Sequence, residues 1–132
     1  LKFIEKLNPE MCGIGPFVPH KDTKFKNENH GDVSLVLMLL SIIRLLKPNI
    51  LLPATTALGT VDPLGREKGI LHGANVVMPN LSPVKHRKDY SLYDNKICTG
   101  DEAAQCIGCL ADRMKKIGCE IVTDRGDYKA DI

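Results

Sequence analysis

The chain is 132 residues long with a net charge of +2, 43% hydrophobic and 26% charged residues, the make-up of one ordinary globular domain or a piece of one. Near-neutral charge leaves no electrostatic footprint for nucleic acid or an anionic membrane, and 5% aromatic residues without a tryptophan argue against a stacking platform for single strands. Five cysteines, an odd count in a chain with enough apolar residues to do without disulfide staples, point to a reducing compartment and to thiols that are ligands or buried groups.

The chain opens on Leu1-Lys2-Phe3-Ile4, with neither an initiating methionine nor a signal-like apolar stretch, so a domain cut from a longer protein is expected. Residues Lys2 to Leu7 read as a helix end stopped by Asn8-Pro9. A first strand is expected over Met11 to Val18, where Gly13 and Gly15 allow close approach and Pro16 and Pro19 remove ladder donors. It feeds a polar loop, His20 to Gly31, too long for a simple turn and therefore a candidate functional loop. His20 and Asp22 can bind or protonate a ligand there, or be solvated loop polarity.

Asp32 is placed to cap a helix over Val33 to Leu46, apolar nearly all round and so expected to be deeply buried. Lys47-Pro48 stops it short of the roughly 20 residues that a membrane span needs. A second strand is expected over Ile50 to Ala57, then a glycine-rich loop from Gly59 to Gly65 and a short helix starting near Arg66. The third strand is the run Ala74 to Pro79. Short apolar strands alternating with helices predict right-handed βα units and a parallel sheet. Three strands cannot close a barrel, and their open edges are expected to promote association.

A long loop, Leu81 to Thr99, follows, with His86-Arg87-Lys88 expected to face solvent. The last helix carries a capping-box candidate, Thr99 with Glu102, lysines 115 and 116 in its final turn, and Gly118 as its C-terminal stop. Cys119 to Val122 reads as a short extended piece before a charged tail.

Chemistry concentrates in two places. Cys106 and Cys109, three apart on a helix, share one face, and Cys98 can fold back as a third thiolate. Three soft ligands favour zinc or an iron–sulfur cluster; the alternative is that Cys106 and Cys109 are small apolar groups in a helix interface. Cys119, about 15 Å further along the helix, is too far to complete the set. Cys12 is a core thiol. At the strand ends, Thr55 and Thr56 are either β-formers fitting the pleat or a hydroxyl pair that orients an anionic or carboxylate group. Arg66 at a helix start is a surface feature or a carboxylate clamp. Met78 is core filler or a substrate contact. Tyr90 and Tyr93 share a face toward a pocket, or form an apolar lid.

Taken together, Gly13-Ile14-Gly15-Pro16-Phe17-Val18-Pro19-His20 with Asp22-Thr23, Pro53-Ala54-Thr55-Thr56-Ala57, Gly65-Arg66-Glu67, Gly73-Ala74-Asn75 and Val77-Met78-Pro79-Asn80 resemble the HydE family. These are radical S-adenosylmethionine (SAM) enzymes of [FeFe]-hydrogenase maturation, related to biotin synthase. Tyr90-x2-Tyr93, Lys96-Ile97-Cys98 and Cys106-x2-Cys109 extend the resemblance nearly to the end of the chain. It corresponds to the C-terminal part of that family's chain. It implies an α/β fold, strands six to eight of a (β/α)8 barrel in residues 1–80, with a C-terminal helical extension in 81–132. It implies a cytoplasmic enzyme that uses SAM and a [4Fe–4S] cluster on a small organometallic iron precursor, alongside other hydrogenase maturation proteins. Thr55, Thr56, Met78, Tyr90 and Tyr93 would line the substrate cavity, and Cys98, Cys106 and Cys109 would match an auxiliary Fe–S site. The family's CxxxCxxC loop is missing from these residues, so the chain alone is expected not to cleave SAM. The competing expectations are a stand-alone Cys-ligated Fe–S or zinc module, and another biotin-synthase-like radical SAM enzyme.

Overall fold

A computed structural model describes residues 1–97 and 103–129, with the side chains of Val84, Lys88, Ala103, Ala104, Gln105 and Cys106 outside the description. Helix α1 spans Lys2–Leu7 and ends on Asn8, whose left-handed φ of 52° lets its N–H return to the Ile4 carbonyl. The Lys47 ammonium donates to the Asn8 side chain and, at 3.3 Å, to the Pro9 carbonyl, tying this end to the next helix.

Helix α2, Val33–Leu46, starts where Asp32 Oδ1 accepts from the Ser34 N–H at 2.7 Å. The cap satisfies one of the four donors that a helix start leaves open. Asp32→Ala should cost about 1 kcal/mol in a urea melt. The expected all-round burial of α2 does not occur. Val36, Leu37, Leu40 and Ile43 form the covered stripe, while Leu35, Met38, Leu45 and Leu46 stay exposed. The chain lays a sheet and one further helix against a single face of α2, and nothing described covers the other.

The sheet is a parallel pair, β1 (Pro53–Ala54) and β2 (Val76–Val77), in register Pro53 to Val76 and Ala54 to Val77. An isolated parallel bridge joins Met11 to Leu51, with Cys12 N–H donating to the Leu51 carbonyl and Leu51 N–H to the Glu10 carbonyl, both at 3.0 Å. The three extended segments therefore lie side by side in chain order, with the middle one fully covered: Leu52, Pro53 and Ala54 are all buried. A continuous apolar strand of this kind belongs to a sheet with helices on its faces. Asn75 extends the lateral tie, its Oδ1 accepting from the Leu52 N–H at 2.8 Å.

The expected strands are much shorter than their apolar runs. Beyond Cys12 the first has no ladder, because Pro16 and Pro19 lack donors and the neighbouring chain leaves for a helix at Thr55. In place of the expected Gly59 to Gly65 loop, α3 occupies Thr56–Val61 and α4 Gly65–Leu71. Thr55 caps α3, its side chain accepting from the Leu58 N–H at 3.3 Å. Gly65 is where α4 folds back on α3: a Cβ there would sit 2.2 Å from the Leu58 carbonyl oxygen. The core is the α2 stripe with Ile50, Leu52, Ala54, Leu58 and Ala74.

After β2 a 3₁₀ helix covers Val84–Tyr90, and α5 runs Ala103–Lys116. The capping box at Thr99 and Glu102 lies outside the described residues. The other end of α5 closes as expected, with Gly118 at φ 76° donating to the Lys115 carbonyl and Cys119 N–H to the Met114 carbonyl, the paired bonds of a glycine-stopped helix. The segment 119–122 forms no strand. Helix α5 buries Leu110 and Met114. Its Arg113 makes a forked pair with Glu67 of α4, Nη2 to Oε2 at 2.6 Å and Nε to Oε1, and also meets the Pro63 carbonyl at 2.5 Å. No described helix is long and apolar enough to cross a membrane.

Candidate functional site at the carboxyl ends of the strands

Parallel strands joined by helices leave their carboxyl ends on one edge, where backbone groups and side chains can meet a ligand. Here that edge collects residues from three segments. Gly15, past the Met11 bridge, presses against Thr55: a Cβ at Gly15 would lie 2.6 Å from Thr55 Oγ1. The glycine is required by this contact rather than by its backbone angles. Thr55 sits at the end of β1 and Thr56 opens α3. Met78 directly follows β2, and the register that pairs Ala54 with Val77 brings it alongside Thr55. Met78 is half exposed, at 52%.

The two threonines are used differently. Thr55 Oγ1 serves as the α3 cap. Thr56 Oγ1 accepts from Arg66 Nη2 at 3.1 Å. Arg66 itself is buried, 2% exposed, which removes the surface reading of its position at the helix start. Thr60, one turn on, donates to the Thr56 carbonyl at 3.0 Å and tightens α3.

The segment after the 3₁₀ helix straps across this edge. Asp94 N–H donates to the Pro19 carbonyl at 3.0 Å, at the end of the first segment. Ile97 N–H reaches Thr60 Oγ1 at 3.5 Å. Lys96 Nζ closes the strap locally on the Tyr90 carbonyl at 2.9 Å. Tyr93, half-buried, lies beside the Asp94 anchor and so belongs to this edge. Tyr90 is 57% exposed and lines a neighbouring cleft of ≈ 590 Å³ with Ser82, Pro83, His86 and Asp89.

Other expectations resolve residue by residue. His20 Nδ1 accepts from the Asp22 N–H at 3.1 Å, so that nitrogen is spent on the turn. His86 Nδ1 faces Asp89 Oδ2 at 3.3 Å on the exposed side of the 3₁₀ helix. Arg87, expected in solvent, is 3% exposed and its Nε donates to the Ser82 carbonyl at 2.8 Å. The tight 3₁₀ turn carries it inward, where a carbonyl can meet its charge. Cys12 is half-buried against the core as expected.

Of the proposed thiolate set, Cys98 and the Cys106 side chain lie outside the described residues. Cys109 is a free thiol on α5 and is exposed. Among the described residues no three potential ligands converge on one point.

The Glu67–Arg113 pair was not legible in sequence, since 46 residues separate its members. Burial raises the Glu67 carboxyl, but the Arg113 hydrogen bond, a backbone N–H and the charges of Arg113 and Arg66 outweigh it and hold it below its ordinary value.

The fold and its edge define an α/β chain of parallel βα units whose strand ends face one strapped, hydroxyl- and arginine-bearing site. No family model matches the chain. Over 129 residues, 98% of its length, it is 42% identical to the [FeFe] hydrogenase maturase subunit HydE of Thermotoga maritima. The resemblance read from the motifs therefore stands, and the chain spans 37% of that relative's length.

Proposed function

We propose that this chain is the C-terminal, substrate-side part of a HydE-type radical SAM enzyme acting in [FeFe]-hydrogenase maturation. The observation that carries the reading is 42% identity across 98% of the chain to a protein of that name. Parallel βα units with Thr55, Thr56 and Met78 at their carboxyl ends support it, because a (β/α)8 barrel holds its substrate there. On this reading residues 1–80 are barrel strands six to eight with their helices, and 81–132 are the C-terminal extension. Thr55, Thr56, Met78, Tyr90 and Tyr93 line the cavity for a small organometallic iron precursor. The enzyme is cytoplasmic and works with other hydrogenase maturation proteins.

SAM and its [4Fe–4S] cluster belong to the rest of the enzyme. The five cysteines here, at 12, 98, 106, 109 and 119, offer no CxxxCxxC, so these residues do not fit that cluster. Cys98, Cys106 and Cys109 would hold an auxiliary Fe–S cluster, and the exposure of Cys109 suits a ligand more than an interface thiol.

Anaerobic reconstitution with iron and sulfide, followed by an assay for 5′-deoxyadenosine, tests both parts. The isolated chain should yield none, while its Fe–S absorbance should fall on Cys106→Ser. Clear turnover of SAM by the isolated chain overturns the assignment of the catalytic cluster to other residues. Unchanged iron content in Cys106→Ser overturns the auxiliary site.

A further inference from the structure

Apolar packing holds α5 only lightly. Among its described side chains two are buried, Leu110 and Met114, and a helix of 14 residues is marginal in water without tertiary support. The polar contact with α4 is therefore a large part of what seats it. Arg113 meets both Glu67 carboxylate oxygens and the Pro63 carbonyl. A planar guanidinium fork fixes a direction as well as a distance. It therefore sets the rotation of α5 about its own axis more closely than Met114, a flexible side chain, can.

The cysteine positions lie on the same side of the helix. Residues three, four and seven apart share one helix face, and Cys106, Cys109 and Arg113 have that spacing. Arg113 is one turn beyond Cys109, about 6 Å along the axis. The rotation that brings Arg113 to Glu67 is thus the rotation that sets where Cys109 lies, and at that setting Cys109 is exposed.

We infer that Arg113, through its contact with Glu67, is a positioning residue for the thiolate site: it holds α5 in the setting that takes up a soft metal. The inference rests on the reading of Cys98, Cys106 and Cys109 as ligands, and adds the pair that orients the helix carrying two of them. A site that is competent for only a fraction of the time binds with its affinity lowered by that fraction. Linkage makes the effect reciprocal: the factor that the contact adds to metal affinity, bound metal adds to the seating of α5.

Co²⁺ alone is the probe, titrated anaerobically into this chain at fixed pH, since the thiols give up their protons on binding. Thiolate-to-cobalt absorbance reads uptake. Arg113→Met, which keeps the apolar stem and loses the fork, should weaken uptake at least about fivefold. Arg113→Lys, which keeps the charge without the fork, should fall between it and the parent. Asp32→Ala, which weakens α2 instead, should leave uptake unchanged. Co²⁺ should also slow amide exchange in α5 of the parent, and less so in Arg113→Met. Circular dichroism checks that each variant folds; if Arg113→Met does not, Arg113→Lys against Asp32→Ala decides. Equal uptake by Arg113→Met and the parent overturns the inference, and so does an equal loss in Asp32→Ala, which would assign the effect to overall stability. Cys106→Ser separates the two readings. Uptake that survives Cys106→Ser defeats the ligand reading and this inference with it, whereas uptake lost in Cys106→Ser but unchanged in Arg113→Met defeats the inference alone.

Discussion

Leu40→Ala should remove about 3–5 kcal/mol of stability, a large share of the roughly 5–15 kcal/mol that holds a domain folded. Leu40 is fully buried, at 0% exposure, in the stripe that α2 turns to the sheet. Losing its methyls leaves a void that close-packed neighbours fill only partly. Leu45→Ala on the same helix removes the same atoms from a side chain 81% exposed, and should change stability by less than about 0.5 kcal/mol. Urea melts of the two variants of this chain give the comparison directly. Equal losses would mean that α2 turns a different face inward.

Glu67→Gln should cost about 2–4 kcal/mol at neutral pH, because it removes the carboxylate charge from the forked contact with Arg113 at a carboxyl site only 9% exposed. The loss should be local. Arg113 and the buried Leu110 and Met114 seat α5, so amide exchange should rise in α5 while α2 stays protected. The pH dependence has a definite sign. Glu67 is held below its ordinary carboxyl range in the folded chain, so its contribution is fully present above the unfolded value, about 4.3. It fades as pH falls through the lower folded value. The gap between the parent and Glu67→Gln should therefore close under acid and not open at high pH. A constant gap from pH 7 down to pH 3 would assign the loss to packing and not to charge. Arg113→Met paired with Glu67→Gln should be less than additive if the two residues act as one contact.

The local parts of the fold were legible from residue types. Asp32 caps α2 because a short acceptor sits two residues before an open N–H, and Lys47-Pro48 marks its end. Gly118 stops α5 for an equally local reason, a positive φ. Strand lengths were not legible, since a ladder depends on the partner's course as well as on an apolar run. The run Ile50 to Ala57 keeps only Pro53–Ala54 as strand. Thr55 could be read as a β-former, yet its hydroxyl is worth more as a cap for the helix that follows. Arg87 read as solvent-facing among charged neighbours, and the 3₁₀ helix that carries it inward reverses that.

The sequence by itself determined the βα rhythm, the helix ends and the resemblance to HydE, because these rest on neighbouring residues and on motifs in order. Tertiary structure alone decided which face of α2 is covered, that Glu67 pairs with Arg113, and that Arg66 is buried on Thr56. Those facts depend on residues 10 to 46 positions apart meeting in space, and burial, which sets the cost of a charge, is a property of that meeting.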